Sequence, residues 1–221
     1  MNLLKNPPYL QVAIDVIDLS RAVRIANAVA VNERVIIEVG TPLIKSSGIT
    51  SVRVLSQIFE NNIVFADMKT MDAGALEAEI AIGSGAKIMS VLGAADDNTI
   101  FEALTRAREL GGDVQVDLIS VPNILERARG VNRIGIRIIG LHAGIDQQLG
   151  KKMRGIDFLH IIKELKESMS DIIISVAGGI RPEEAQKLVS AGADIIVAGS
   201  SIVKSSDPKE EARKFLKEMG I

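Results

Sequence analysis

The sequence predicts one α/β domain over residues 1–221, folded as a single (β/α)8 TIM barrel. Short runs rich in Val and Ile alternate with stretches whose apolar residues recur at helical spacing. The Val and Ile runs are continuous, which indicates a parallel sheet buried on both faces. Eight strand-and-helix units account for the 221 residues, an ordinary length for such a barrel. A doubly wound open sheet with fewer strands is the alternative that the pattern leaves open.

The units follow one another after the Pro7-Pro8 pair. Strands are assigned where β-branched residues cluster, and helices where apolar residues recur every three or four positions. The predicted strands are 10–16, 35–39, 63–67, 87–92, 114–118, 136–142, 172–176 and 194–198. The predicted helices are 18–31, 46–60, 72–84, 97–110, 121–129, 156–168, 182–191 and 207–219. Residues 144–155 fit neither pattern, and their glycines and basic side chains predict a mobile basic loop.

The composition narrows the class of protein. With 47% hydrophobic residues, 24% charged residues and a net charge of −2, the chain is typical of soluble globular proteins and lacks the basic surface of a nucleic-acid binder. It contains no Cys, so any metal must be held by carboxylates or His. No apolar stretch has the roughly 20 residues of a membrane span, and residues 1–8 lack a signal-peptide core. We therefore expect a cytoplasmic protein that binds neither nucleic acid nor membranes.

Ionisable residues collect at the carboxyl ends of the predicted strands, the face on which barrel enzymes carry their active sites. Such side chains are costly within apolar strands, and in a closed barrel they would converge on one pocket. The residues at these strand ends are Asp15, Glu38, Asp67 with Lys69, Asp117 and His142. Each has a structural explanation of its own, but all of those explanations would have to hold at once. His160 lies within a predicted helix and is assigned a structural role.

The third strand ends in Asp67-Met68-Lys69-Thr70-Met71-Asp72, with three charges in six residues. Residues two apart share a face of a strand, so the Asp67 carboxylate and the Lys69 ammonium are expected in one pocket. A strand-end salt bridge with Asp72 as a helix cap is the structural alternative.

Glu38 and Asp67 lie on neighbouring strands and, with Asp15 close by, offer hard oxygen ligands. Mg²⁺ typically takes one or two carboxylates together with water and substrate oxygens, so these residues suit it. With Lys69 as a cation and His142 as a base, the site could remove a proton next to a carbonyl and stabilise the resulting enediolate.

Two glycine turns follow the last two strands. Gly178-Gly179 precedes a predicted helix start, and Gly199-Ser200 follows the eighth strand. Bare backbone N–H groups at these positions would suit a phosphate dianion, and the loops after strands seven and eight are the usual phosphate site of barrels. The alternative is that these glycines only form turns between strands and helices.

Asp67-x-Lys69-x-x-Asp72 resembles the signature of the orotidine 5′-phosphate decarboxylase superfamily of barrels. Within it, the chain resembles the 3-hexulose-6-phosphate synthase family over essentially its whole length. The segments that carry this resemblance are LQVAID at 10–15, IEVGTPLIK at 37–45, ADMKTMDAG at 66–74, VLGAADD at 91–97, VDLI at 116–119, HAGID at 142–146 and SVAGGI at 175–180.

The resemblance implies a carbon–carbon lyase, acting with Mg²⁺ or with Mn²⁺ in its place. Its members join formaldehyde to D-ribulose 5-phosphate, reversibly, to give D-arabino-hex-3-ulose 6-phosphate. By resemblance Glu38 and Asp67 hold the metal, Lys69 stabilises the enediolate, and His142 takes the C1 proton. Relatives are homodimers with shared active sites, so Asp72 would serve the neighbour's site. The residues assigned to substrate binding are Asp15, Asp117, Gly178, Gly179, Gly199 and Ser200.

The nearest competing activity is that of 3-keto-L-gulonate 6-phosphate decarboxylases, which share the barrel, the metal carboxylates and the phosphate loops. By resemblance, those enzymes have an Arg where this chain has Gly144-Ile145, a longer acid at Asp117 and an Arg at Ser200. All three differences favour the synthase. A non-catalytic sugar-phosphate-binding barrel is the other alternative, but it would be expected to lose Asp67, Lys69 or His142, and all three are present.

Overall fold

The computed structural model describes residues 3–221 and shows a closed barrel of eight parallel strands. Each strand pairs with the next, and β8 pairs with β1. The strands are β1 (Tyr9–Ile14), β2 (Val35–Val39), β3 (Val64–Thr70), β4 (Ile88–Leu92), β5 (Asp113–Asp117), β6 (Ile138–His142), β7 (Ile173–Ala177) and β8 (Ile195–Ala198). The predicted TIM barrel is confirmed, and the open sheet is excluded. Met1 and Asn2, at the start of the predicted domain, lie outside the described residues.

Helices cover the outside of the barrel. They are α1 (Leu19–Val29), α2 (Thr41–Ser47), α3 (Thr50–Ile58), α4 (Gly74–Gly83), α5 (Asp97–Glu109), α6 (Ile124–Ile134), α7 (Ile145–Lys151), α8 (Leu159–Ser168), α9 (Pro182–Ala191), α10 (Ser200–Val203) and α11 (Pro208–Glu218), with a 3₁₀ turn at Gly155–Phe158. Helix α5 illustrates how the sequence determines a helix start, because the Asp96 side chain caps it by accepting a hydrogen bond from the Asn98 N–H. Its buried residues, Ile100 and Leu104 among them, lie on one face against the strands.

Two predictions about the helical layer are wrong. The predicted helix 46–60 is two helices, α2 and α3, because Gly48 adopts a positive φ of 66° between them. The predicted mobile loop 144–155 contains α7. Helix α7 has seven residues and buries none of them, so its two apolar residues, which are four positions apart, were too few to predict a helix. Ile145 and Leu149 of this helix are instead exposed.

The barrel interior is apolar near the amino ends of the strands and polar near their carboxyl ends. Four isoleucines from the even-numbered strands, none more than 2% exposed, belong to one buried cluster: Ile36, Ile88, Ile138 and Ile195. Two residues further along β2 and β4 come Glu38 and Ser90, on the same inner face. The charged end of the barrel therefore rests on a packed apolar layer.

Within residues 3–221, every helix is too short or too polar to cross a bilayer. A cytoplasmic location stays a prediction.

Candidate active site

Charged side chains from four strands meet at the carboxyl end of the barrel. Glu38, Asp67 and Asp117 are buried there, at 6%, 6% and 3% exposure. Lys69 and His142 are half-buried beside them. The strand order of the barrel, read from the sequence, is what brings these distant residues together.

Asp67 is held on both of its carboxylate oxygens. Its Oδ1 accepts hydrogen bonds from the Ser90 hydroxyl at 2.8 Å and from the Lys69 ammonium at 2.9 Å. Its Oδ2 accepts from the Thr41 hydroxyl at 2.6 Å and from Lys69 at 2.7 Å. A carboxylate offers about four lone-pair positions. The acceptor capacity of Asp67 is therefore filled by protein donors.

Lys69 reaches this position through an irregular backbone. The register of β3 against β4 shifts between Ala66 and Thr70, and Lys69 has a positive φ of 47°. The expected pocket shared by Asp67 and Lys69 is present, but it depends on this irregularity. The Lys69 ammonium also lies 3.5 Å from Asp117 Oδ2. Burial lowers the pKa of Lys69, but the neighbouring Asp67 and Asp117 carboxylates outweigh burial and raise it, so the ammonium stays charged.

Asp117 and His142 form a hydrogen-bonded pair. Nδ1 of His142 lies 2.9 Å from Asp117 Oδ2, while Asp117 Oδ1 accepts from the Ile119 N–H at 2.9 Å. Burial raises the pKa of Asp117, but its hydrogen bond and charge interaction with His142, aided by Lys69, lower it overall. An ionised carboxylate can only accept, so Nδ1 carries a proton, and in the neutral imidazole Nε2 is the nitrogen that has the lone pair. Asp117 thus orients the imidazole, and its predicted role in substrate binding stays a prediction.

The protein stabilises the ionised forms of Glu38 and Asp15 poorly. Glu38 accepts one hydrogen bond, from Gln11 Nε2 at 2.7 Å. Burial, together with the nearby Asp67 and Asp15 carboxylates, raises the pKa of Glu38 well above its usual range. Asp15 faces solvent at the rim. Crowding by the surrounding protein and the charge of Asp67 also raise the pKa of Asp15.

This crowding of carboxylates fits a divalent cation. Within residues 3–221, no three His, Asp or Glu side chains form a ready-made metal centre. Mg²⁺ does not require one, because it commonly takes one or two carboxylates and fills its other positions with water and substrate oxygens. In the part of the chain that the structure describes, one carboxylate oxygen of Glu38 makes no hydrogen bond to protein and is open to a cation. Asp67 could hold the same cation only where a protein donor such as Lys69 gives up its contact.

Asp72 stands apart from the other predicted site residues. Its side chain is exposed, and Oδ1 accepts a hydrogen bond from the Ala73 N–H at 2.7 Å. It does not cap α4, whose N-cap is Ala73 with a φ of 53° and no side-chain cap bond. The alternative of a capping aspartate is therefore wrong.

The two glycine turns lie at the ends of adjacent strands, β7 and β8. Gly178 and Gly179 both have positive φ, at 117° and 60°. A Cβ on Gly178 would come within 2.5 Å of the Ala143 carbonyl oxygen, so this turn requires glycine. Within the described chain, the N–H groups of these glycines and of Gly199 and Ser200 make no backbone hydrogen bond. Free donors on neighbouring strands suit an anion.

Three residues that hold the site went unpredicted. Thr41 and Ser90 bind Asp67, and Gln11 binds Glu38. Gln11 and Ser90 are polar residues inside apolar strands. Because burial of a polar side chain is unfavourable unless it has a hydrogen-bond partner, their position in the sequence already indicated a specific contact. Thr41, which follows Gly40 at the start of α2, carries no such signal.

The chain is similar to characterised enzymes over nearly its full length. It is 39% identical to 3-hexulose-6-phosphate synthase from Mycobacterium gastri, over 93% of this chain and 97% of the relative. It is 40% identical to the synthase from Methylomonas aminofaciens, over 93% of this chain and 96% of that one. A crystal structure of 3-hexulose-6-phosphate synthase superposes with a TM-score of 0.88 at 37% identity, covering 95% of this chain and 99% of that chain.

Decarboxylases share the fold. The structure of 3-keto-L-gulonate-6-phosphate decarboxylase from Vibrio cholerae O1 biovar El Tor matches with a TM-score of 0.85 at 28% identity, covering 97% of this chain and 98% of that chain. Residues 8–215 match the model of the orotidine 5′-phosphate decarboxylase / HUMPS family. The chain therefore belongs to the orotidine 5′-phosphate decarboxylase / HUMPS family, and within it resembles the 3-hexulose-6-phosphate synthases.

Proposed function

We propose that this protein catalyses the reversible aldol addition of formaldehyde to D-ribulose 5-phosphate, which gives D-arabino-hex-3-ulose 6-phosphate. The expectation of an enzyme of the synthase type is confirmed by the two curated synthases, which match 93% of the chain. The single observation that carries the mechanism is the pairing of His142 Nδ1 with Asp117 at 2.9 Å, beside the Lys69 ammonium.

His142 serves as the base. With Nδ1–H donated to ionised Asp117, Nε2 is the nitrogen able to accept the C1 proton of the ketose. As the C1–H bond breaks, its electron pair forms the C1–C2 double bond and negative charge develops on the C2 oxygen. The imidazolium that forms is stabilised by the Asp117 carboxylate.

Lys69 stabilises the developing charge. Its ammonium is held between Asp67 and Asp117, so it is in place before the reaction begins. The C1–C2 π pair of the enediolate then forms a bond to the formaldehyde carbon while the C2 carbonyl re-forms. The π bond of formaldehyde breaks, and its oxygen, now an alkoxide, takes the proton back from His142. Atoms and protons balance, and the same steps in reverse cleave the hexulose phosphate.

The remaining residues bind and orient the substrate. Gly178, Gly179, Gly199 and Ser200 would hold the phosphate with backbone N–H groups, and Asp15 at the rim would contact sugar hydroxyls. When bound at Glu38 and Asp67, Mg²⁺ or Mn²⁺ would supply Lewis-acid polarisation of the ketose oxygens.

The direct test is consumption of formaldehyde in the presence of ribulose 5-phosphate and Mg²⁺. We expect formaldehyde loss that depends on both the sugar phosphate and the protein. No loss with either Mg²⁺ or Mn²⁺ would refute the synthase proposal.

We also propose a homodimer in which Asp72 serves the partner's site. Asp72 is exposed, and its side chain accepts a hydrogen bond from the neighbouring Ala73 N–H. Exposed apolar residues precede and follow it in the sequence. Met71, Leu76, Ile80 and Phe101 are 53%, 60%, 39% and 48% exposed. Three of these four residues lie on α4 and α5, which pack against each other, and exposed large apolar side chains are typical of protein interfaces.

Mixing two inactive variants tests the shared site. Asp72→Ala and His142→Ala chains should each be inactive. Mixing equal amounts should restore about a quarter of the activity, because about half of the dimers are mixed and one of the two sites in each mixed dimer is intact. Failure of this rescue in demonstrated heterodimers would rule out a shared site.

A second candidate is decarboxylation of 3-keto-L-gulonate 6-phosphate, which the match to the Vibrio cholerae enzyme favours. Against it stand Asp117, Gly144-Ile145 and Ser200, the three positions at which this chain departs from the decarboxylase pattern. Release of CO₂ from that substrate, without formaldehyde consumption, would select it. A barrel that only binds sugar phosphates would show neither reaction.

A further inference from the structure

Ser90 of β4 lies opposite the part of β3 in which the pairing between the two strands is irregular. Ala66 pairs with Met89, and Thr70 pairs with Val91, so residues 67–69 of β3 lie opposite the single residue Ser90 of β4. An irregularity of this kind leaves backbone groups without their usual partners in the sheet.

The Ser90 side chain replaces one of those partners. The Lys69 backbone N–H donates to Ser90 Oγ at 2.9 Å, and the Ser90 hydroxyl donates to Asp67 Oδ1 at 2.8 Å. An ionised carboxylate only accepts, so the hydroxyl hydrogen points to Asp67 and a lone pair remains for the Lys69 N–H. One hydroxyl therefore joins the backbone of Lys69 to the carboxylate that its own ammonium binds.

This link matters because Lys69 has an unfavourable backbone conformation. A residue other than Gly keeps a positive φ, here 47°, only where its surroundings enforce it. Ser90 is 1% exposed, so water cannot readily take over its hydrogen bonds. Loss of the hydroxyl would free the Lys69 backbone to relax and would remove one of the donors that orient Asp67.

We propose that Ser90 is a positioning residue that fixes Lys69 and Asp67 in the arrangement the reaction requires. Ser90 touches no reacting atom and acts through these two neighbours. The kinetic consequences rest on the proposed synthase function, whereas the structural consequences do not.

The kinetic experiment compares Ser90→Ala with Ser90→Thr, which keeps the hydroxyl. Misplacement of a catalytic group by about 1 Å can cost about 100-fold, so we expect kcat of Ser90→Ala to fall by about 10- to 100-fold. The KM for ribulose 5-phosphate should stay within about twofold, because the phosphate loops are untouched. Ser90→Thr should retain kcat within about threefold. The matched control is Ser175→Ala, which truncates another serine of the barrel interior, 1% exposed, and should keep normal kcat.

A second experiment measures hydrogen exchange at the Lys69 amide and needs no substrate. Because this amide donates to Ser90, its exchange should become about tenfold faster in Ser90→Ala and remain slow in Ser90→Thr. The Lys87 amide, which donates to the Val64 carbonyl oxygen at 2.8 Å between the same two strands, serves as the internal control and should not change.

Normal kcat in Ser90→Ala, or equal loss of kcat in folded Ser90→Ala and Ser90→Thr, would overturn the proposal. If Ser90→Ala does not fold, Ser90→Cys replaces it, because a thiol of similar size is a poor hydrogen-bonding group and should lose kcat while Ser90→Thr does not. If the unmodified protein consumes no formaldehyde, the synthase function fails, and the Lys69 amide alone decides the role of Ser90.

Discussion

The ends of strands β2 and β3 carry two carboxylates with the same predicted role as metal ligands, yet the protein treats them in opposite ways. Asp67 on β3 accepts hydrogen bonds from Ser90, Thr41 and the Lys69 ammonium, on both oxygens. Glu38 on β2 accepts one, from Gln11. One carboxylate is compensated and fixed, and the other is buried with its negative charge largely unbalanced.

The difference in hydrogen bonding between Asp67 and Glu38 indicates which of the two carboxylates is open to a cation. Lys69 occupies lone pairs of Asp67 that a divalent cation would need, whereas one oxygen of Glu38 is not bonded to protein. Under the proposed mechanism, metal binding therefore requires the ammonium to give up part of its contact with Asp67. Asp117, already 3.5 Å from the ammonium, is the acceptor toward which Lys69 can move.

The largest expected effect comes from removing the ammonium. Lys69→Ala should lower kcat at least about 1,000-fold, because the charge on the enediolate loses its preorganised cation. The measurement is formaldehyde consumption, with circular dichroism to show that the barrel is intact. The control is Lys87→Ala, which removes an exposed lysine just before β4 and should stay active. An active Lys69→Ala enzyme would show that the ammonium takes no part in the chemistry.

Opposite changes in stability are expected from neutralising the two carboxylates in the metal-free protein. Asp67→Asn takes away the negative charge that binds the Lys69 ammonium and replaces one acceptor oxygen of the two hydroxyl donors with an NH₂ group. It should destabilise the fold by about 2 kcal/mol, or about 5 °C in Tm. The raised pKa of Glu38 means that its ionised form costs folding free energy at neutral pH, so Glu38→Gln should raise Tm by about 2 °C. Thermal unfolding in EDTA measures both. Equal destabilisation by the two changes would remove the contrast between them.

The smallest expected effect concerns metal affinity. Lys69→Ala frees lone pairs on Asp67 and removes a nearby positive charge, so it should tighten Mn²⁺ binding by about tenfold, a change of about 1.4 kcal/mol. Titration calorimetry without substrate measures this directly, and Lys87→Ala again provides the control. Weaker binding in Lys69→Ala would mean that the ammonium supports the metal site and does not compete with it.

The sequence predicted the parts of the site that depend on regular geometry. Alternation along β2, β3 and β6 was enough to put Glu38, Asp67 and His142 on the inner face at the carboxyl end of the barrel. Those positions follow from strand direction and closure of the sheet, which the pattern of Val and Ile already contains.

The rest depends on departures from regularity. No residue preference predicts a positive φ at Lys69, because lysine seldom adopts that conformation, and the contact of its N–H with Ser90 joins two different strands. The hydrogen bond between Asp117 and His142 was likewise not predicted, because it joins residues 25 positions apart on neighbouring strands. Substrate binding by Asp117 stays a prediction. Helix α7 was missed because it buries nothing.

The layer of four isoleucines lies beneath the charged residues and closes the inner end of the polar chamber at the carboxyl ends of the strands. A packed barrel interior is not a pore, so nothing passes between the chamber and the amino ends of the strands. Under the proposed function, sugar phosphate, formaldehyde and product would therefore all enter and leave at the carboxyl end of the barrel, past Asp15 at the rim.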